Sequence, residues 1–589
     1  MIGDGWMASG VASGHHKYRE RASEPVMDPQ KEIKHMKLAL RMLALGSFLF
    51  LCLVVVPVAA GQERPPGPSG GEVQAEDLLV KPVGSNWTSY NGDYTGQRYS
   101  RLRSITAANV PQLRPAWVFH PGNSSMLEVT PVVYNGVMYV TASNSVSALD
   151  ARAGRVLWKY EQPVSSGLID DAAAHKNRGV AIWRNHVYME TDNAHLLCLD
   201  ARSGRVLWDV TYADSTRNYG ATSAPLIVKD QVLVGTSGGD DGVRGFLAAY
   251  DAETGKLKWK FWTIPAPGEF GSSSWPGDAY LHGGGATWMP GTYYPELHTV
   301  YWGTSNPAPD YAGETRPGDD LYTDCVVALA ADTGKLKWYF QFTPHDSYDY
   351  DANETPVLID MQDEGGSLGD PGKNHKLLVQ ANRNGFLYIL DRTDGKLLKA
   401  ARFAEKLNWA TGIDAAGRPI LTDKIPTVKG TKICPGIDGA TNWYSPSYNP
   451  QTGMFYFMTL ESCSMYFLKP AEFVRGEVFY NTGTKRVPSE NAEKILLAYS
   501  IPETKLAWRY PQIGTGSSWG GTMTTAGGLV FFGDDAGGFA AVDASTGHPL
   551  WEFNTGQSLR ASPMTYEVDG VQYVAVAAGS DVFSFSLPQ

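Results

Sequence analysis

The sequence predicts an all-β protein, an eight-bladed β-propeller, and three observations lead to this prediction. One phrase recurs along most of the chain: a strand-like run ending in Ala-Leu-Asp or a variant of it, a Thr-Gly turn, and a second run ending in Trp. Around this phrase, apolar and polar residues alternate over short runs, as in strands with one buried face. Aromatic residues form 12% of the 589 residues, and Gly (63) and Pro (36) are frequent, which favours strands and turns over helices.

The composition excludes several functional classes. Lys and Arg (50) are outnumbered by Asp and Glu (61), for a net charge of -11, so a nucleic-acid partner is not expected. Hydrophobic residues at 43% and charged residues at 19% indicate a folded chain with a large core. The five cysteines include no Cys-x-x-Cys or Cys-x-x-Cys-His, so zinc ribbons and covalently attached c-type haem are not expected.

The N-terminal region is typical of an exported protein. A basic stretch precedes the apolar run 43–56, and small residues follow at Ala59 and Ala60; this order describes a secretory signal peptide. The run is shorter than the ~20 residues of a spanning helix, so an uncleaved anchor is the weaker alternative. We therefore predict an extension and signal peptide (1–60), a flexible leader (61–84), a propeller domain (85–589) and a mature periplasmic protein without a membrane span.

The repeat sets the blade count. Clear copies end at Trp158, Trp208, Trp259, Trp338 and Trp551, and weaker copies surround Gly395 and Trp508. The turn glycines recur mostly every ~40 to 80 residues, a period typical of propellers. An unmarked unit near residue 450 and closing strands after residue 570 bring the total to about eight blades. The repeated Trp is expected to pack between neighbouring sheets, and radial closure explains one domain of more than ~500 residues.

Two glycine-containing segments are candidates for ligand binding. The segment Thr236–Gly245 reads TSGGDDGVRG, in which glycines allow close approach to a flat ligand and Asp240 follows; an ordinary hairpin loop is the alternative. Between Gly255 and Gly334 the repeat swells to 79 residues and contains Trp288 and Asn306. Long insertions in regular arrays often carry function, although Trp288 could be a core residue and Asn306 a turn cap.

An acidic segment between residues 343 and 356 is the most informative part of the sequence. It contains Asp346, Asp349, Asp351 and Glu354. If the segment is extended, Asp349 and Asp351 project from one face. Two buried carboxylates on one face would require a cation or raised pKa values. A solvated acidic loop is the alternative interpretation.

Together, the repeat and these segments resemble the quinoprotein alcohol dehydrogenases, which carry pyrroloquinoline quinone (PQQ) in an eight-bladed propeller. The resemblance runs from Asn86 to the last strand. It implies that the cofactor is bound by Glu128, Arg178, Thr222, Ser237, Gly238, Gly239, Trp288, Arg383, Asn442 and Trp519. Trp288 would stack under the quinone, and the arginines suit a tricarboxylate.

The resemblance also implies a metal site formed by Asp240, Asn306, Asp349 and Asp351. Asp351 matches the additional carboxylate of lanthanide-using members, so a lanthanide(III) ion is favoured and calcium is the alternative. Asp240 stands where the family normally has Glu. This shorter side chain departs from the family pattern and could weaken direct coordination.

Two further implications concern the cysteines. Ala172 and Ala173 replace the adjacent cysteine pair found beside the quinone in many family members, so that disulfide cannot form. Cys434 and Cys463 match another family disulfide. Cys198 and Cys325 lie within repeat strands and are expected to be free and buried.

The resemblance implies a periplasmic PQQ-dependent dehydrogenase that oxidises a small primary alcohol to an aldehyde. Asp349 would act as the base, the metal would polarise the quinone for hydride transfer, and Arg383 would stabilise charge on the quinone oxygens. A separate soluble cytochrome c is the expected electron acceptor, and the sequence leaves open whether the chain forms a homodimer. The alternatives are a PQQ-dependent sugar or polyol dehydrogenase and a non-catalytic propeller scaffold.

Overall fold

The structure is a computed structural model that describes residues 71–122, 126–169, 175–477, 479, 483–487, 492–513, 519–534 and 536–588. All of them belong to one compact unit, Pro66–Gln589. The predicted signal peptide, the first part of the leader, and Ala172 and Ala173 lie outside the described residues. No helix in the described ranges has the length and apolar character needed to cross a membrane.

Strands dominate the described residues, as predicted. The single α-helix within these ranges is α1 (Ala75–Leu78), and short 3₁₀ turns occur at Val110–Gln112, Ser215–Arg217, Ser272–Ser274, Ala279–Leu281, Pro295–Leu297 and Gly313–Thr315. In chain order the strands are β1 (Tyr99–Ser100), β2 (Arg114–Phe119), β3 (Val132–Tyr134), β4 (Val137–Ala142), β5 (Ser145–Asp150), β6 (Arg155–Glu161), β7 (Ala181–Trp183), β8 (His186–Glu190), β9 (His195–Asp200), β10 (Val206–Thr211), β11 (Leu226–Val228), β12 (Gln231–Val234), β13 (Phe246–Asp251), β14 (Leu257–Trp262), β15 (Thr292–Tyr294), β16 (Thr299–Gly303), β17 (Cys325–Ala330), β18 (Leu336–Gln341), β19 (Val357–Gln362), β20 (Asn374–Ala381), β21 (Phe386–Asp391), β22 (Leu397–Arg402), β23 (Ala410–Ile413), β24 (Pro419–Leu421), β25 (Thr431–Ile433), β26 (Ser447–Asn449), β27 (Met454–Glu461), β28 (Ser464–Tyr466), β29 (Thr484–Arg486), β30 (Glu493–Ser500), β31 (Lys505–Pro511), β32 (Thr522–Thr525), β33 (Leu529–Gly533), β34 (Gly538–Asp543), β35 (Pro549–Asn554), β36 (Met564–Val568), β37 (Val571–Ala578) and β38 (Asp581–Ser586).

The larger sheets of the described chain are antiparallel meanders of four strands. Their strand orders are β3-β4-β5-β6, β7-β8-β9-β10, β11-β12-β13-β14, β15-β16-β17-β18, β19-β20-β21-β22, β26-β27-β30-β31, β32-β33-β34-β35 and β36-β37-β38-β2. Strand β1 adds in parallel to β32. The N-terminal strand β2 pairs with the C-terminal strand β38, so the two ends of the described chain share one sheet.

The repeated tryptophans join each sheet to the next, as predicted. The indole N–H of Trp158 in β6 donates to the carbonyl of Ala201 at 2.9 Å. Ala201 directly follows β9 in the next sheet. The same contact recurs from Trp259 to Ala331 at 3.0 Å. A Cβ at Gly204, where φ is +71°, would lie 2.5 Å from the Trp158 ring. The turn glycine therefore provides both the left-handed backbone and the space that the indole requires.

Two smaller sheets, β23-β24 and β25-β28-β29, were not predicted. They lie in the long connection between β22 and β30, together with β26 and β27. Cys434 directly follows β25 and Cys463 directly precedes β28, and these strands pair with each other. The implied Cys434–Cys463 disulfide is confirmed, and Cys198 and Cys325 are free and buried, as expected.

Glu190, at the end of β8, is fully buried, and one of its oxygens accepts a hydrogen bond from the Tyr212 hydroxyl at 3.1 Å. Burial raises the pKa of Glu190 to about 8, against the effect of this hydrogen bond. Because the unfolded pKa is about 4.3, the contribution of Glu190 to stability is fully present below that pH and is lost as the pH rises toward 8.

We therefore expect Glu190→Gln to stabilise the protein more at pH 8 than at pH 5, by at most about 1.4 kcal/mol per pH unit. Chemical denaturation of the variant and the parent protein at both pH values measures the difference. The contributions of groups that titrate identically in the two proteins cancel in the difference between their unfolding free energies. A difference in unfolding free energy that does not change with pH would contradict this assignment.

Candidate functional site

A cavity of about 380 Å³ brings together all the predicted site residues except Asn306. The residues come from loops next to the first or second strand of successive sheets. Glu128 precedes β3, Arg178 precedes β7 and Trp288 precedes β15. These loops meet because successive sheets place equivalent strand ends side by side. Asn306 is buried beside the cavity, and its main-chain N–H donates to Asp351 Oδ1 at 2.8 Å.

This cavity is also lined by six residues that the sequence did not indicate. They are Lys176, Ser305, Ile437, Asp438, Trp443 and Arg560. Lys176 and Trp443 lie next to predicted residues in the sequence, so the neighbourhood of each motif could have indicated them. Arg560 lies in no repeated motif, and no sequence signal points to it.

The glycine-rich segment after β12 forms part of the cavity wall. Gly238 has φ of +91°, and a Cβ at this position would lie 2.3 Å from the carbonyl oxygen of Asn218. Only glycine fits both the backbone conformation and the close approach. The wall at this point is therefore main chain, with Asp240 half-buried directly after it.

Arg178 forms a planar, positively charged side of the cavity. Its Nη2 lies 2.6 Å from Glu128 Oε2, and its Nη1 donates to the carbonyl of Thr222 at 3.0 Å. The guanidinium lies 5.0 Å from the ring centre of Trp288 and 4.6 Å from that of Trp443. This arrangement suits a flat, anionic ligand, because it combines aromatic faces with an arginine fork.

Arg383 connects the two predicted carboxylates. Its Nη1 donates to Asp351 Oδ2 at 2.7 Å, and its Nη2 donates to Asp349 Oδ2 at 3.2 Å. Burial raises the pKa of Asp349 well above its usual range, Arg383 opposes this shift, and the Asp351 carboxylate adds to it. Burial likewise raises the pKa of Asp351, and Arg383 again opposes the shift. The site thus holds two carboxyl groups at one guanidinium.

The acidic segment is not extended, so the predicted placement of Asp349 and Asp351 on one strand face was wrong. Asp346 accepts hydrogen bonds from the main-chain N–H groups of Tyr348 at 2.8 Å and Tyr350 at 2.7 Å. These bonds fold the segment into a turn in which Asp349 has φ of +65°. Such a conformation is uncommon outside glycine and is often found at functional sites.

The alternative of a solvated acidic loop is also wrong, because Asp346, Asp351 and Glu354 are buried. Arg383 reaches the segment from the end of β20 and brings the two carboxylates together. Asp349 and Asp351 are therefore linked through Arg383, which follows β20, and not through strand periodicity.

Comparison with known proteins identifies the family. Residues 87–402 and 500–574 match the PQQ family described as "Glucose/ethanol/alcohol dehydrogenase, beta-propeller domain". The chain belongs to the PQQ-dependent alcohol dehydrogenase family. Its fold is accordingly a β-propeller, and its activity is alcohol oxidation with PQQ.

Similar proteins of this family include two curated dehydrogenases. The quinohemoprotein alcohol dehydrogenase ADH IIB of Pseudomonas putida is 38% identical over 90% of this chain and 78% of the relative. The lanthanide-dependent methanol dehydrogenase of Methylorubrum extorquens is 33% identical over 83% of this chain and 86% of the relative. A solved europium-containing methanol dehydrogenase has a TM-score of 0.78 and 31% identity, covering 87% of this chain and 99% of its own.

The predicted metal ligands of this family member do not form a ready cluster. Within the described ranges, no three His, Cys, Asp or Glu side chains are grouped as a metal site. Asp349 and Asp351 are instead both bound by Arg383. The donor chemistry still fits a hard cation, because Asp240, Asn306, Asp349 and Asp351 offer oxygen atoms only.

Proposed function

We propose that this PQQ-dependent alcohol dehydrogenase is a periplasmic enzyme that oxidises a primary alcohol to an aldehyde with the help of a bound metal ion. Electrons would pass to a separate acceptor, for which a soluble cytochrome c is our candidate; a homodimer remains a prediction. The observation that carries the proposal is the bridge from Arg383 to Asp349 and Asp351 at the cavity wall. This bridge supports the proposal because it holds a carboxyl group suited to proton transfer and a guanidinium at the same point of the cavity.

The cofactor residues of the proposal are the cavity residues Glu128, Arg178, Thr222, Ser237, Gly238, Gly239, Trp288, Arg383, Asn442 and Trp519. The buried Nε of Arg178 has no hydrogen-bond partner among the described residues, which leaves one donor for a ligand. Trp443 and Trp519 stack at 6.5 Å between ring centres with an interplanar angle of 20°, which provides a further flat surface. When bound, PQQ would supply the two-electron acceptor for the alcohol.

Asp349 is the proposed base. Its side chain is 16% exposed, so a substrate hydroxyl in the cavity can reach it. Arg383 orients the carboxylate and opposes the rise in the pKa of Asp349 that burial causes. Asp349 would accept the hydroxyl proton of the alcohol. The carbon that bears the hydroxyl group would give up a hydride, for which bound PQQ would be the acceptor.

The proposed metal ligands are Asp240, Asn306, Asp349 and Asp351, with a lanthanide(III) ion favoured over calcium. Asp349 and Asp351 lie at one guanidinium and Asp240 lines the same cavity, and a trivalent ion compensates more carboxylate charge than a divalent one. The shorter Asp240 departs from the usual Glu and would reduce its reach toward the ion by one methylene group.

We also infer that the eight larger sheets are the blades of one propeller domain spanning residues 85–589. Their sheet order, the Trp158–Ala201 type of contact between neighbours and the pairing of β2 with β38 support this inference. The predicted signal peptide and leader would precede this domain.

Lys176 and Arg560 are expected to add to cofactor affinity. Both line the cavity and both are half-buried. Burial lowers the pKa of Lys176, Glu128 opposes the shift, and Arg560 and Arg178 add to it, so these charges act on one another. Hydrogen bonds to charged groups contribute about 1.5 to 3 kcal/mol, so Lys176→Gln and Arg560→Gln should each weaken PQQ binding by about tenfold.

Quenching of tryptophan fluorescence by added PQQ measures this affinity. Lys258→Gln, which removes a surface lysine paired with Asp230, is the matched control and should bind PQQ like the parent protein. Unchanged affinity in both cavity variants would show that these two residues do not contact the cofactor.

Product analysis tests the proposed reaction itself. Purified protein supplied with PQQ and metal should convert primary alcohols to aldehydes, detected by proton NMR alongside dye reduction. Faster turnover of sugars or polyols than of every primary alcohol tested would favour the alternative activity. Binding of PQQ without turnover of any substrate would favour the scaffold alternative.

A further inference from the structure

Asp310 is a buried carboxylate close to the proposed metal site that none of the assignments above uses. It follows β16 in the segment that contains Asn306, and its exposed fraction is only 2%. Its Oδ1 has no hydrogen-bond partner among the described residues. A buried carboxylate oxygen without a partner is costly unless a ligand satisfies it.

The nearest arginine does not neutralise this carboxylate by a direct ion pair. Arg316 Nη2 donates to the main-chain carbonyl of Asp310 at 3.2 Å, and its Nη1 is paired with Asp320. Arg316 therefore fixes the backbone at Asp310, while the guanidinium forms its ion pair with another side chain.

The electrostatic neighbours of Asp310 are the proposed metal ligands. Burial raises the pKa of Asp310 well above its usual range, the carboxylates of Asp240 and Asp349 add to the shift, and Arg316 opposes it. Burial also raises the pKa of the adjacent Tyr311, and Asp349, Asp310 and Asp240 add to that shift. Arg316 Nη2 also donates to the main-chain carbonyl of Asp346 at 2.9 Å, which places Asp310 beside the acidic segment that carries Asp349 and Asp351.

We propose that Asp310 supplies an additional oxygen donor to the metal site and makes up for the short side chain of Asp240. This inference rests on the proposed metal-assisted function. With Asp310, the proposed ligand set holds four carboxyl groups, Asp240, Asp310, Asp349 and Asp351, and Arg383 pairs with two of them, Asp349 and Asp351. A fourth carboxyl group in the ligand set favours a trivalent ion over calcium, because a cation of higher charge stabilises more ionised carboxylates.

Terbium luminescence provides a test that does not depend on activity. Tyr311 and Trp288 lie beside the site and can sensitise a bound Tb³⁺ ion. PQQ-loaded protein freed of metal with a chelator would be titrated with Tb³⁺ and, in competition, with Ca²⁺. We expect Asp310→Asn to weaken Tb³⁺ binding at least tenfold and Ca²⁺ binding less. Asp93→Asn, which neutralises a buried carboxylate bound to Thr95 elsewhere in the fold, should bind Tb³⁺ like the parent protein.

A double variant separates coordination from a structural effect. If Asp310 compensates for Asp240, then Asp240→Glu combined with Asp310→Asn should recover most of the lost Tb³⁺ affinity. Asp310→Ala serves in place of Asp310→Asn if the latter does not fold by circular dichroism. Parent-like Tb³⁺ affinity in the Asp310 variant, or no recovery in the double variant, would overturn the inference. Failure of the parent protein to bind Tb³⁺ or Ca²⁺ would instead contradict the proposed metal site.

Discussion

Replacement of Asp349 by Asn is expected to lower kcat for alcohol oxidation by about 10²- to 10⁴-fold, the usual contribution of a general base. The amide has the size of the carboxylate but cannot accept the substrate proton at neutral pH. Arg383 would still donate to Asp351 at 2.7 Å, so the fold of the segment should persist. Initial rates of dye reduction with saturating alcohol, PQQ and metal measure the effect.

The affinity of the Asp349 variant for PQQ is the necessary control. The proposed cofactor contacts include Arg178 with Trp288 and Trp443, which the substitution leaves in place. We therefore expect PQQ affinity to change by less than the rate. A variant that keeps parent-like kcat would show that Asp349 is not the base.

Asp351→Ala is expected to abolish activity with a lanthanide while the protein remains folded. The substitution removes the acceptor of the Asn306 main-chain N–H at 2.8 Å and one partner of Arg383. It also removes one negative charge from the proposed ligand set, which should shift the preference from a trivalent ion toward calcium. The ratio of the rate with La³⁺ to the rate with Ca²⁺, measured at equal PQQ saturation, reports this preference.

Glu354→Gln is the matched control for Asp351→Ala, because Glu354 is a buried carboxylate of the same segment. It accepts hydrogen bonds from Gln380 at 3.3 Å and Asn382 at 3.4 Å, and it is not a proposed ligand. Its neutralisation should leave the ratio of La³⁺ to Ca²⁺ activity unchanged. An equal change of the ratio in both variants would indicate a general charge effect and not coordination by Asp351.

The fold was largely predictable because its determinants are local and repeated. The phrase that ends at Trp158 or Trp259 encodes a strand, a turn and a contact with the next sheet, so each copy carries its own structural information. The connection between β22 and β30 lacks this repeat. Its two small sheets depend on pairing such as that of Ile433 with Ser464, which no local pattern indicates.

The candidate site was predictable as a set of residues but not as a geometry. Motif resemblance indicated Asp349, Asp351 and Arg383, and the structure places all three at one cavity. The conformation of Asp349 could not be predicted, because it follows from main-chain hydrogen bonds to Asp346. Arg560 was missed since its position at the cavity depends on the closure of distant sheets.

Reconstitution of metal-free, PQQ-free protein tests the central claim most directly. The purified protein would be assayed for ethanol-dependent dye reduction after addition of PQQ alone, metal alone, PQQ with Ca²⁺, and PQQ with La³⁺. We predict that activity requires both additions and is higher with La³⁺ than with Ca²⁺. Full activity with PQQ in the presence of a strong chelator, or no activity under any of the four conditions, would contradict a metal-assisted PQQ-dependent alcohol dehydrogenase.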